Sequence, residues 1–285
     1  MRTPCFCGKV MRLIQYRQHN IISCRILGVW TLYRSVTSPI LLFLFISLLV
    51  GSPSLAKDNL TIITEDYPPL NHYEGDVLKG PAVEIVQEIM RRLKLKDKIK
   101  VYPWARGYKY LKERPNTVLF SMTHSKKRDP LFKWVGPLAE KRIGLYARKD
   151  SSIKLKKMAD AKNYLIGVQR AGVGMQLLES ARHQKFDTST SGVTNLKKLL
   201  HGRTDLWFSS NATVFANCQK LKLKTCDVKL VLRQQITFMY IAFSKATPDT
   251  IVNRWQKTYD VLVKEGVAQN IFKKYGMANL IPTKY

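Results

Sequence analysis

Few residues of this 285-residue chain stand at spacings that catalysis requires. There is no G-x-S-x-G, no H-E-x-x-H and no Walker sequence. Nothing therefore supplies a nucleophile elbow, a paired-histidine zinc helix or a phosphate loop. His72, His124, His183 and His201 are scattered and read as surface or loop residues rather than ligands. No catalytic residue, metal site or cofactor is expected. Gly172-Val173-Gly174 precedes a helical stretch, where free backbone N–H groups can seat an anion. Cys218 and Cys226 are close in sequence, and read either as one disulfide or as two unrelated buried thiols. This chemistry points to binding rather than catalysis.

The composition bounds the class. Hydrophobic residues make up 45% and charged residues 24%, near globular averages, which excludes a mainly disordered or collagen-like chain. The net charge of +28 invites a nucleic-acid or anionic-membrane reading. Six of those charges (Arg2, Lys9, Arg12, Arg17, Arg25, Arg34) precede residue 57 with no acidic residue among them, and +22 remain beyond it. The remaining lysines form no stripe interleaved with aromatics, so no nucleic-acid partner is expected.

Ile40–Val50 reads ILLFLFISLLV, short for a spanning helix and right for the apolar core of a signal peptide. Basic residues precede it, and Ser54-Leu55-Ala56 offers small residues for cleavage after Ala56. Residues 1–56 are therefore expected to be a signal peptide; an uncleaved anchor is the competing reading. Either way the rest crosses the membrane, and a bacterial periplasm is the expected location. An oxidising compartment favours the Cys218–Cys226 bridge.

Strand and helix signals then alternate. Leu60–Thr64 reads as a strand, broken by Tyr67-Pro68-Pro69. Gly80-Pro81 opens a helix with Val83, Val86, Ile89, Met90 and Leu93 on one face. Strands are expected at Ile99–Tyr102, Thr117–Met122, Ile143–Ala147, Tyr164–Val168, Asp205–Ser209, Val228–Leu232 and Thr237–Phe243. Helices are expected over Ala105–Glu113, Val173–His183, Asn195–His201, Thr213–Leu221 and Val267–Tyr275. Pro248 opens another, with Ile251, Val252, Trp255, Tyr259 and Leu262 on one face. Such alternation predicts an α/β protein with largely parallel sheets.

Several segments in order resemble the family 3 extracellular solute-binding proteins, the periplasmic receptors of polar-amino-acid uptake systems. Thr64-Glu65-Asp66-Tyr67-Pro68-Pro69-Leu70 with Gly80-Pro81-Ala82-Val83-Glu84-Ile85-Val86 is similar to the family's opening strand, loop and first helix. Ser121-Met122-Thr123-His124-Ser125-Lys126-Lys127-Arg128 and Phe132-Lys133-Trp134-Val135-Gly136-Pro137 resemble its T-x-x-x-x-R and F-x-x-x-x-P segments. Leu199-Leu200-His201-Gly202-Arg203-Thr204-Asp205-Leu206 resembles its L-x-x-G-R-x-D element, and Tyr240–Lys245 its returning hinge strand. The resemblance implies a two-lobed type II periplasmic-binding fold joined by two hinge strands. Lobe one would comprise 57–146 and 242–285, and lobe two 147–241. A small molecule would bind between them, trapped by hinge closure.

The match assigns candidate ligand contacts residue by residue. Arg128 stands where the family grips a substrate carboxylate, a task suited to a guanidinium fork. Ser121, Met122 and Thr123 end the preceding strand, and strand alternation lets Ser121 and Thr123 share a face. Tyr67 matches an aromatic over the ligand. Trp104 either lines the cleft with Arg106 or is core, and Glu65 stands near the position where some members place an acid facing a cationic ligand group, with pairing to a neighbouring Arg as the other reading. Gln169-Arg170-Ala171-Gly172 matches a loop that offers backbone N–H groups. The departure is Ser209, where amino-acid receptors carry an acid for the α-ammonium; a neutral Ser cannot supply that charge. Trp207 and Phe208 beside it favour a less polar solute, with only one of them facing the cleft. The expected protein is a monomer that hands its solute to an ABC permease or a membrane sensor. The alternative is a cyclohexadienyl-dehydratase-like enzyme on the same scaffold, in which Glu65 would serve as the acid.

Overall fold

The computed structural model describes residues 59–283. The expected signal peptide, with Cys5, Cys7 and Cys24, lies outside the described residues. Ten strands are named β1 (Thr61–Thr64), β2 (His72–Glu74), β3 (Val77–Lys79), β4 (Lys100–Val101), β5 (Thr117–Thr123), β6 (Phe132–Arg148), β7 (Ile166–Gln169), β8 (Phe186–Ser189), β9 (Leu206–Ser210) and β10 (Val228–Ser244). The α-helices are α1 (Pro81–Arg92), α2 (Trp104–Glu113), α3 (Val173–Ser180), α4 (Gly192–Leu200), α5 (Asn211–Lys220), α6 (Asp249–Lys264) and α7 (Val267–Lys274).

Eight strands form one sheet in the order β4-β1-β5-β10-β6-β9-β7-β8, and β2 and β3 form a separate hairpin. The β4-β1-β5 block is parallel, as is β9-β7-β8. Between these blocks run β6 and β10, an antiparallel pair of 17 residues each. Phe132–Val135 of β6 pairs with Ile241–Ser244, on the side where β10 meets β5. Further along, Ile143–Tyr146 pairs with β9. The two strands thus pass from one lobe into the other. The segments expected as separate strands at 143–147, 228–232 and 237–243 are parts of these long strands. Register shifts between Leu230 and Leu232, and between Arg233 and Ile236, weaken the alternation that would have joined them.

Each lobe packs both faces of its half of the sheet. Ile62 and Ile63 point to opposite sides, as period-two alternation requires. Ile62 joins Val83, Val86, Ile89, Trp255, Tyr259 and Phe272 in the main core. Ile63 joins Trp104, Tyr108, Leu119 and Phe132 on the other face. In the second lobe Leu206 and Phe208 face Ile166, Val168 and Leu178, whereas Trp207 faces Leu196, Leu199 and Val214. The apolar stripes read for α1 and α6 are buried as expected. At the start of α1, Gly80 has φ 120°, and a Cβ there would sit 2.3 Å from the Leu70 carbonyl oxygen, so only glycine fits. The β2–β3 hairpin and β8 were not predicted; each is three or four residues long and half-exposed, with no apolar alternation to mark it.

Cys218 and Cys226 form a disulfide that ties the end of α5 to the approach of β10. Closing so short a loop removes about 2–3 kcal/mol of unfolded-state entropy. Cys218→Ser is expected to lower the Tm by roughly 5–10 °C, with a wild-type-like circular dichroism spectrum. A Tm indifferent to reductant would contradict a structural role for the bridge.

Candidate functional site

The carboxyl ends of β1, β5, β7 and β9 meet where the two lobes face each other, the place where open α/β sheets usually bind ligands. Two cavities lie there. The smaller, about 20 Å³, is bordered by Glu65, Tyr67, Trp104, Ser121, Thr123, Arg128, Lys141 and Gly172 among others. Its volume suits about one water molecule. The larger, about 290 Å³, is bordered on the first lobe by Asp66, Tyr67 and Pro68. Lys141 on the crossing strand and the second lobe complete it, through the starts of α3 and α4, the end of β9, and α5.

Most predicted site residues converge here. Glu65, Tyr67, Trp104, Ser121, Thr123, Arg128 and Gly172 share the small cavity, while Ser209 borders the large one together with Tyr67 and Gly172. Two do not join them. Arg106 is exposed on α2, its guanidinium over the Tyr102 ring at 5.8 Å. Met122 is fully buried in the first-lobe core, in the cluster that also holds Trp104 and Tyr108. Trp104 satisfies both of its readings, since it is packed in the core and also donates its indole N–H across the cleft to the Ala171 carbonyl at 2.9 Å. Trp207 and Phe208 both border the large cavity. Phe208 packs close to the start of α3, where a Cβ at Gly174 would lie 2.5 Å from its ring.

Arg128 is 1% exposed and stacks near Trp104 and Tyr108, with its guanidinium carbon 5.3 and 5.1 Å from their rings. Its Nη1 donates to the Thr123 carbonyl at 3.1 Å. Nε donates to Gln176 Oε1 at 3.0 Å and Nη2 to the Ala171 carbonyl at 3.3 Å, both on the second lobe. Burial pulls its pKa down to about 10, against the upward pull of Tyr108 and Glu65. The left-handed φ of 55° at Ala171 is an uncommon conformation for a residue with a Cβ. It sits at the turn whose carbonyl meets both Trp104 and Arg128.

Glu65 is 5% exposed and accepts a hydrogen bond from the Gln169 amide at 2.5 Å. Burial raises its carboxyl to about 8, more than the Gln169 amide and Lys141 lower it. At neutral pH it is therefore largely protonated. Ser121, itself at φ 62°, donates to Asn71 Oδ1 at 2.5 Å, and Asn71 Nδ2 holds the Glu65 carbonyl at 2.6 Å. Two further bonds cross the cleft. Thr213 Oγ1 meets the Tyr67 hydroxyl at 2.8 Å, and Lys220 pairs with Asp66 at 2.7 Å. Gln176, Lys141, Thr213 and Lys220 carried no motif, and the Gln169 loop was matched for its backbone N–H groups rather than its side chain, so only the fold reveals these contacts. Among the described residues no group of three or more His, Cys, Asp or Glu is placed to hold a metal ion, and no helix is long and apolar enough to cross a membrane.

Residues 60–278 match the profile of the bacterial extracellular solute-binding proteins, family 3. No curated protein matches the chain. Among solved structures, a histidine kinase sensor domain with similarity to periplasmic binding proteins aligns with a TM-score of 0.70 at 17% identity, covering 79% of this chain and 98% of that one. The arginine-, lysine-, histidine-binding protein ArtJ of Geobacillus stearothermophilus aligns at 0.66 and 16% identity, over 76% of this chain and 94% of its own. Holo ArgBP of T. maritima aligns at 0.62 and 21%, over 75% and 95%. At these identities the likeness is one of fold.

Proposed function

We propose, from the premise that this chain belongs to the bacterial extracellular solute-binding proteins, family 3, that it is a periplasmic receptor for one small polar molecule. The solute sits between the lobes and is handed to a membrane partner. The observation that carries this reading is the cavity of about 290 Å³ bordered by both lobes, near the lower end of small-ligand sites. A solute that touches both lobes only when they are shut shifts the open–closed equilibrium toward closure. The partner recognises the closed form; an ABC permease is the first candidate, and the likeness to a kinase sensor domain keeps a membrane sensor as the second. Lobe one is taken as 57–146 with 242–285, lobe two as 147–241, and residues 1–56 as the leader. No arrangement in the cleft gives positive support for catalysis.

The test is a thermal-shift screen of the purified protein against a broad metabolite panel. One solute at about a hundred times its Kd should add about 2.7 kcal/mol, raising the Tm by roughly 5–10 °C. A panel without any shift would remove the receptor reading.

A further inference from the structure

The large cavity has a chemical character of its own. Val173 and Gly174 begin α3, Gly192 and Val193 begin α4, and all four border it. First-turn N–H groups have no intrahelical acceptor and carry the positive end of the helix dipole. Ser191 Oγ accepts the Thr194 N–H at 3.1 Å, which caps the third position of α4 and leaves the amides of Gly192 and Val193 to the cavity. Lys141 is half-buried on its wall, with its ammonium over the Tyr67 ring at 4.9 Å and no salt bridge to any of the described residues. One buried side chain borders the same space without a partner among the described residues: Ser209, 8% exposed, has a hydroxyl that makes no hydrogen bond to them. Buried polar groups are nearly always paired, so such a group on a cavity wall points to a bound molecule. Ile143, Val168, Trp207 and Phe208 add apolar wall, and the one carboxylate on the lining, Asp66, is neutralised by its pairing with Lys220 at 2.7 Å.

The surroundings of Arg128 differ. Its three kinds of nitrogen already donate to Thr123, Gln176 and Ala171, and the space beside it suits about one water. A carboxylate does not fit there while the lobes are shut.

We infer that the solute is a small organic anion with an apolar body, its anionic group held by the first turns of α3 and α4 with Lys141 and Ser209, while Arg128 latches the lobes instead of gripping the solute. This deepens, and rests on, the receptor reading above. A protonated Glu65 adds no negative charge nearby at neutral pH.

Matched probes that differ only in charge test it. Benzoate and phenylacetate, with succinate and inorganic phosphate, are titrated against the protein by calorimetry. Benzamide, phenylacetamide, L-arginine and L-glutamine form the comparison set. The expected result is that an aryl carboxylate binds at least tenfold more tightly than its amide. Lys141→Gln and Ser209→Ala each shrink that ratio several-fold. Arg128→Lys weakens acid and amide alike through closure and leaves the ratio in place. Tight binding of L-arginine or L-glutamine, or a ratio lost in Arg128→Lys and kept in Lys141→Gln, overturns this anchoring but leaves the receptor reading standing. Failure of these probes together with a blank metabolite panel overturns both.

Discussion

Glu65→Gln is expected to flatten a fall in stability that the wild-type protein shows as pH rises from about 5 to about 8. The folded protein keeps the Glu65 proton up to about pH 8, because burial penalises the carboxylate. The unfolded chain gives it up near 4.5, the ordinary value for a glutamate. Between those values the folded state binds more protons than the unfolded one, so stability declines as pH increases. The contribution is whole below about pH 4.5 and is lost progressively toward pH 8. At 1.36 kcal/mol per unit its upper bound is roughly 4–5 kcal/mol, which corresponds to about 10 °C or more in Tm. A glutamine side chain at this position would keep the acceptor for the Gln169 amide while having nothing to ionise, so the variant should outlast the wild type above pH 8. Thermal unfolding at pH 5, 6.5 and 8.5 provides the measurement. Parallel curves for the two proteins would mean that Glu65 is ionised throughout. The same ionisation places a negative charge on the wall of the cleft, so an anionic solute should bind less tightly above pH 8.

What could be read from the sequence follows from the range of each interaction. The helices α1 and α6 were legible because their burial is periodic within one segment: Val83, Val86 and Ile89, or Trp255, Tyr259 and Leu262, all face a single core. The disulfide was partly legible because its partners are close in sequence. Most of the cleft was reachable through motif matches at Glu65, Tyr67, Ser121, Thr123 and Arg128. What the motifs cannot convey is what each residue meets across the cleft. Gln176 lies 48 residues from Arg128, and Gln169 lies 104 from Glu65; Gln176 has no pattern that singles it out, and the loop match at Gln169 spoke of backbone N–H groups, not of its side chain. The protonation of Glu65 is likewise a product of burial, which comes only with the packed lobes. Arg106 shows the converse failure, since two residues from Trp104 on a helix is the far side, and its side chain stays in solvent.

Arg128→Met should open the molecule without unfolding it. Methionine keeps an apolar stem against Trp104 and Tyr108 but cannot donate to Gln176 or to the Ala171 carbonyl, the two bonds that Arg128 makes to the second lobe. Hydrogen bonds from a charged donor are worth about 1.5–3 kcal/mol each. Relief of the buried charge returns part of that, which leaves a net swing of roughly 2–4 kcal/mol in favour of the open form. A swing of that size changes the open-to-closed ratio by about thirty- to a thousand-fold. Other cross-cleft bonds, from Trp104 to Ala171, Gln169 to Glu65, Tyr67 to Thr213 and Lys220 to Asp66, do not depend on the guanidinium, so closure is weakened rather than forbidden. Small-angle scattering should show a larger radius of gyration in the variant, and a saturating solute should restore the compact form. Arg128→Ala should open the lobes as far and also cost stability within the first lobe, because it removes the packing that methionine keeps. Were Arg128→Met to scatter like the wild type, with every solute simply bound more weakly, Arg128 would be a ligand contact and not the latch between the lobes.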